Sequence, residues 1–377
     1  MGESAVRKTK YRKRSVATEG TSYFDFILFF IVIVLIAFGL VMLFSVTSYE
    51  STDKFGYSYY YLKHQLIGVA IGAVVMLFFV LVDYHAWLRW VPVLYILTLI
   101  LQLAVFVPGI GVEINESRRW IGVGNMTFQP SEIAKIAVIV VMAAIISKIP
   151  SQLKKFKTFV KMIVLAAILV VPIALTDLST AVIIFAIVVA MLFVASPKIW
   201  HFVVGGVLVV MAGAGFILFA GYRAKRLADF FSDDTVFQTQ QALYAIGSGG
   251  WFGKGLGESL QKLGYVPEAE NDMIFSIIGE ELGVFGIVCV ILLFVLLLWR
   301  YIFVASNAPD LYGAMIAVGA FAHISLQVVL NIAVVTGTIP NTGVTLPFIS
   351  YGGTSIIFLM AEVGLVLSVS RRIRLKN

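Results

Sequence analysis

Long apolar runs alternate with short polar ones along almost the whole chain. The runs fall at roughly 24–47, 64–82, 91–107, 131–147, 160–175, 179–195, 201–220, 273–299, 311–335 and 350–369. A helix needs about 17–25 apolar residues to cross a bilayer core. The first run is uncharged from Phe26 to Tyr49. It is longer than the apolar core of a signal peptide and lacks a small-residue cleavage site, so it reads as an uncleaved first helix. The fifth and sixth runs are separated only by Thr176, Asp177 and Leu178. Together they are too long for one ordinary span, which predicts a hairpin broken at Asp177. The pattern predicts an all-α polytopic membrane protein of about ten transmembrane helices. A basic tail (1–23) precedes a single transmembrane domain (24–370), and a second basic tail (371–377) follows it. No internal repeat is visible.

Composition agrees with lipid as the solvent. Of the 377 residues 60% are hydrophobic and only 13% charged, about half the charged share usual for soluble domains. The formal charge of +7 raises the question of nucleic acid, and its placement answers it. With the N-terminus cytoplasmic, 18 of the 28 Lys and Arg fall on the inner side. Five of the other ten lie in the loop 221–272, and long loops count little in the positive-inside rule. The bias predicts N-in and C-in topology, with basic residues against anionic lipid and no nucleic-acid partner. Cys289 is the single cysteine and the four histidines are scattered, which removes disulfides and the paired-ligand metal motifs.

This orientation puts four polar features outside: 108–135, the break at Asp177, the loop 221–272, and 336–355. In the first, Arg118 and Arg119 precede Trp120. Paired guanidinium forks suit phosphate oxygens, and the same trio suits an interfacial anchor. Glu132 and Lys135 lie three apart at the start of the next helix, where they either pair with each other or serve a polar cavity. The long loop opens with Arg223, Lys225 and Arg226 and continues into a glycine-rich run, 247–257. Lys254 is followed by Gly255 rather than Ser or Thr, so no phosphate loop of the Walker kind is present; a flexible lid is the plain alternative. Asp272 precedes an apolar helix and reads either as its N-cap or as a general base at the membrane surface. Glu280 and Glu281, two turns further on, either line a cavity or pair with loop cations. Asp177 caps the next helix or faces a cavity. Pro340, Pro347, Gly352 and Gly353 predict irregular backbone at membrane depth, which requires protein or a water-filled cavity around it.

Together these segments resemble the SEDS family (shape, elongation, division and sporulation), which includes FtsW, RodA and SpoVE. The matching pieces are RRWI…FQPSEIAK at 118–135, DLST at 177–180, YRAKR at 222–226, AIGSGGWFGKGLGESLQK at 245–262, PEAENDMIFSIIGEELG at 267–283 and PNTGVTLPFISYGGTS at 340–355. They cover nearly the whole chain in the family's order, and the PEA and ISYGGTS wording is closest to the FtsW type. The resemblance implies a peptidoglycan glycosyltransferase that polymerises lipid II at the outer face of the bacterial cytoplasmic membrane, during division or wall growth. It implies a class B penicillin-binding protein as transpeptidase partner, within other divisome or elongasome membrane proteins. The family's essential aspartate falls on Asp272, and its sensitive tryptophan and basic residues on Trp120, Arg118, Arg119 and Lys135. Glu132, Arg223 and Arg226 join the substrate side; Asp177, Glu268, Glu280, Glu281 and Ser350 are supporting residues. Glu270-Asn271 stands where many relatives have His-Thr, and Gly264 and Thr176 are further departures. The extra carboxylate of Glu270 is expected to raise the pKa of Asp272.

The implied chemistry suits these residues. A lipid-linked pyrophosphate is already a good leaving group, so it needs positive charge, from Arg, Lys or a divalent cation (Mg or Mn). The acceptor hydroxyl needs one base. A lipid II flippase and a non-enzymatic division scaffold are the competing readings; polymer made from lipid II in detergent separates the enzyme from both.

Overall fold

The computed structural model describes residues 22–114, 117–123, 126–196, 198, 200–202 and 237–374. Nine of the predicted apolar segments are helices: α1 (Phe26–Phe55), α2 (Tyr60–Leu81), α3 (Trp87–Ala104), α4 (Pro130–Lys148), α5 (Phe156–Thr176), α6 (Leu178–Ala195), then α8 (Ile274–Asn307), α9 (Leu311–Val335) and α10 (Ser355–Ser370). A further helix, α7 (Phe237–Ser248), lies within the long loop. Eight of the described helices are long and apolar enough to cross a membrane, and α10 is shorter. The seventh predicted segment, 201–220, lies outside the described residues apart from its first two.

Ends of the helices follow from local chemistry. Asp25 caps α1, accepting from Leu28 N at 2.9 Å, and Arg300 at the far end of α8 forks onto the same carboxylate at 2.8–3.2 Å. A two-residue strand β1 (Ser22–Tyr23) pairs with β5 (Ile373–Arg374) close to the C-terminus. The two ends of the domain therefore meet on one side of the bundle. Pro130 opens α4 at its first turn, where a missing N–H costs nothing. The hairpin break falls at Asp177, which terminates α5 and accepts from Thr180 N at 3.0 Å to start α6. Around α4, α9 and α10 the buried side chains form the apolar core.

The outer segment before α4 is a small antiparallel sheet of β2 (Gly111–Ile114), β3 (Ser117–Val123) and β4 (Met126–Phe128), which the apolar periodicity did not signal.

The glycine-rich run is not a flexible lid. Inside α8, Gly283 takes φ +66° and breaks the helical ladder. The freed groups bond to the loop instead: Val284 N to Gly250 O, Phe285 N to Trp251 O, Lys254 N to Glu280 O and Gly255 N to Glu281 O, all at 2.9–3.1 Å. A side chain at Gly253 would strike the carbonyl of Glu281 at 2.1 Å, so only glycine lets these backbones meet. Two carboxylates anchor the loop from beneath. Glu280 accepts from Lys254 Nζ at 2.6 Å, from Ser259 Oγ and from the backbone of Leu260 and Gln261. Glu281 accepts from Lys262 Nζ at 2.9 Å and Ser45 Oγ of α1 at 2.7 Å. Both are fully buried.

Removing one partner of a buried ion pair leaves a stranded charge and costs about 3–5 kcal/mol, whereas replacing both by apolar groups is often neutral. Lys262→Met is therefore expected to lower thermal stability in detergent by that amount, and Lys262→Met with Glu281→Leu to recover most of it. Equal losses in the single and double variants would contradict the pairing.

Candidate active site

Asp272 does not cap α8. The helix begins at Ile274 with Met273 as its cap residue and no side-chain capping bond. A tight turn built on Glu268, which takes φ +55°, carries Asp272 inward: Asn271 N and Met273 N both bond to Glu268 O. The turn is fixed from two sides. Tyr351 N donates to Glu270 O at 2.8 Å. Asn331 of α9 donates from Nδ2 to Asp272 O at 2.7 Å and to Val344 O at 2.8 Å, which ties the turn to the segment 340–350. The Asp272 side chain is left 5% exposed, and its Oδ1 has no hydrogen-bond partner.

That carboxylate lines a cavity of about 2270 Å³, larger than the few hundred to 1,000 Å³ usual for small-molecule sites. Several charged residues reach it. Arg118, Arg119 and Trp120 enter it from β3, Glu132 and Lys135 from α4, and Asp177 from the α5–α6 break. Lys135 pairs with Glu132 at 2.8 Å, Arg119 with Asp177 at 3.5 Å and Arg118 with Glu113 at 3.4 Å. Gln129 Nε2 also donates to Asp177, and Ser355 Oγ to Glu132. The lining also holds Glu50, Asp53, Glu268 and Glu270, the cations Lys54 and Lys262, and Tyr60 and Tyr61. Along α2 the lining turns apolar through Ile67, Gly68 and Ile71. Ile67 and Ile71 are both exposed.

Burial is the main cause that pushes the Asp272 carboxyl up to about 6; the charge of Glu268 adds to it, and the Asn341 side chain and the Arg119 guanidinium pull against it. The neighbouring charge is thus Glu268, not Glu270 as the sequence suggested. The turn points Glu270 toward Glu50, and burial with the Glu50 and Glu268 charges raises it to about 7.

The structure brings together Arg118, Arg119, Trp120, Glu132, Lys135, Asp177, Glu268 and Asp272 in one cavity. Glu280 and Glu281 lie behind it and hold the loop cations. Ser350 also lies outside it, where its Oγ accepts from Leu346 N at 2.8 Å. Arg223 and Arg226 lie outside the described residues. Sequence reasoning missed Lys262, Gln129, Gln327 and Asn331. For the last two a signal existed: amides four apart in an apolar run share a face and need partners.

No three His, Cys, Asp or Glu side chains converge as a metal site among the described residues, and Glu132 and Asp177 each already face a cation. The described residues do not form a protein cage for a divalent ion.

Residues 26–375 match the cell cycle protein family model of FtsW, RodA and SpoVE. The chain is 42% identical to stage V sporulation protein E of Bacillus subtilis over 92% of its own length and 97% of that protein. It is 39% identical to a probable peptidoglycan glycosyltransferase FtsW of Geobacter sp., over 93% and 98%. Among solved structures, a chain of a peptidoglycan synthase complex that coordinates polymerization and crosslinking superposes with TM-score 0.78 at 26% identity, covering 94% of this chain and 99% of the other. The rod shape determining protein RodA of Thermus thermophilus superposes at 0.68 with 28% identity, over 94% and 98%.

Asn331→Leu strands two buried carbonyls, at about 1–3 kcal/mol each. A lowered unfolding temperature in detergent is expected; an unchanged one would remove Asn331 from the support of Asp272.

Proposed function

The chain belongs to the FtsW, RodA and SpoVE family of cell cycle proteins, and from that premise we propose how its cavity works as a membrane peptidoglycan glycosyltransferase that polymerises lipid II. Asp272 is the general base. The observation that carries this reading is a buried carboxylate, Asp272, that lines the same cavity as Arg118, Arg119 and Lys135 and has no cation at ion-pair distance among the described residues.

The reaction is a single displacement with inversion. Asp272 takes the proton of the acceptor sugar hydroxyl as its oxygen attacks the anomeric carbon of the donor. The bond from that carbon to the pyrophosphate oxygen breaks, and its electron pair leaves on the lipid pyrophosphate. Arg118, Arg119 and Lys135 meet the growing negative charge; their present partners are the carboxylates that hold them in place. Fixed cations in a site shielded from water act strongly on such charge. Trp120 sits beside them. The apolar stretch along Ile67 and Ile71 suits the polyprenyl tail. A divalent cation, if used, is held chiefly by the pyrophosphate oxygens, as hard cations commonly are, and no step is assigned to it.

The cavity opens on the extracytoplasmic side of the cytoplasmic membrane in this reading, supported by the distribution of Lys and Arg. A class B penicillin-binding protein crosslinks the product. Support comes from the superposition on a synthase complex that joins polymerization to crosslinking. A flippase needs a cavity but no buried base, and it makes no polymer in detergent.

Asp272→Asn should remove polymerisation of labelled lipid II by the purified chain with its transpeptidase, without changing thermal stability markedly. Normal product from that variant would falsify the base. The wild type should lose rate as pH falls through about 6, because protonation of Asp272, raised to about 6, removes the acceptor of the proton. The acid limb of kcat/KM against pH reports it; a limb near 4 would place the working carboxylate elsewhere.

A further inference from the structure

The far end of α1, away from Asp25, shows the cavity a face that the displacement itself does not use. Val46, Tyr49, Glu50 and Asp53 line the cavity, and spacings of three and four put them on one helix face. From Val46 to Asp53 that face runs about 10 Å along the axis. Val46 is buried, but Tyr49 is 55% exposed and Asp53 is exposed, so the polar part is open to a ligand. Glu50 is held in direction by two donors, Lys54 Nζ and, at 3.3 Å, the Tyr61 hydroxyl. Direct contacts join this face to the turn of Asp272. The Tyr61 ring meets the Tyr351 ring edge to face, with centroids 5.1 Å apart. Tyr351 N in turn donates to Glu270 O at 2.8 Å. Tyr61, Tyr351 and Glu270 line the same cavity. Tyr60, next to Tyr61, is fixed as well: it stacks on Phe55 with centroids 3.6 Å apart and 9° between the planes.

Lipid II offers pyrophosphate, polyprenyl chain, peptide and sugar. Glu50 and Asp53 on this face, with Glu270 beyond Tyr351, repel a diphosphate. The same charges need water or donors around them, which excludes the polyprenyl chain. A peptide brings carboxylates of its own. A sugar is uncharged, turns an apolar C–H face to an aromatic ring and gives its hydroxyls to carboxylate acceptors. A tyrosine that only anchored α1 among headgroups would suit Lys or Arg beside it; on this face its neighbours are Glu50 and Asp53. We propose that the face is a saccharide subsite: the Tyr49 ring packs on a sugar of the acceptor strand, and Glu50 and Asp53 accept from its hydroxyls. It holds a sugar further along the strand than the one whose hydroxyl Asp272 deprotonates. This rests on the glycosyltransferase reading above. No bond changes at the subsite. It keeps the strand in place while a spent donor is exchanged for a new one, so that the same strand is extended again.

The test is a titration of the full-length chain in detergent, followed by saturation-transfer NMR, with two lipid-free probes: a peptide-free tetrasaccharide of the glycan strand, and the stem peptide without sugar. The tetrasaccharide should bind the wild type. Tyr49→Ala combined with Asp53→Ala should weaken it about 10-fold or more, the range of one hydrogen bond to a charged group. Tyr49→Phe keeps the ring and should bind as the wild type does. With its transpeptidase and lipid II, the double variant should make shorter strands. Equal tetrasaccharide binding in wild type and double variant overturns the subsite, as does no binding to the wild type. Weakened binding of the peptide alone also overturns it and makes the face a peptide site. If the double variant does not fold, Asp53→Asn carries the same titration with the same outcomes. Asp272→Asn separates this proposal from the base: it should bind the tetrasaccharide like the wild type and make no polymer. Polymer from that variant removes the base and leaves the subsite to the titration.

Discussion

The cavity end of this protein depends on two adjacent carboxylates beside the kink of α8. Glu280 and Glu281 are fully buried, and a bare carboxylate at such a position is too costly to persist. Each therefore draws a lysine from the loop; Glu280 takes further donors from Ser259, Leu260 and Gln261, and Glu281 takes one from Ser45 of α1. Few of the loop's larger apolar side chains are buried: Trp251, Phe252, Leu256 and Leu260 are all exposed. Satisfying these charges is what gives it a structure. Once Lys254 and Lys262 are in place, the residues after them are committed to a short path back to α8, and the turn bearing Asp272 is the end of that path.

A second constraint shapes the cavity itself. Hydrocarbon cannot solvate backbone, so non-helical chain at membrane depth must be enclosed by protein or face water. The segment 340–354 is such chain. Its carbonyls are taken by Gln65, Gln327 and Asn331, and the turn at 268–273 leans on it through Tyr351. The turn bearing Asp272 and the irregular segment thus stabilise each other. The cavity is the space their mutual support leaves open.

Charge in that space is arranged by contrast. The cations of the β3 and α4 wall meet carboxylates within 3.5 Å, which fixes their direction while leaving the wall able to receive an anion. Asp272 has no such cation at ion-pair distance among the described residues, and burial keeps its proton affinity high. One cavity therefore holds both fixed cations and a carboxylate of raised proton affinity, the two groups that the proposed displacement of a pyrophosphate by a hydroxyl calls on.

Spans, the hairpin break at Asp177, the pairing of Glu132 with Lys135 and the grouping of the basic residues were legible in the sequence. Each depends on neighbours along the chain: apolar length, a capping residue, a spacing of three. The family resemblance added Asp272 and the arginines on the strength of whole motifs. What the chain order could not supply was contact between distant segments. The three-stranded sheet, the locking of the glycine run to α8, the replacement of Glu270 by Glu268 as the charge acting on Asp272, and the clamp from Asn331 all join residues far apart in sequence. Local pattern determined which segments enter the membrane, because transfer into lipid is summed residue by residue along a helix. Tertiary structure alone decided which polar groups face one another, because a buried hydrogen bond or ion pair is fixed by packing in three dimensions.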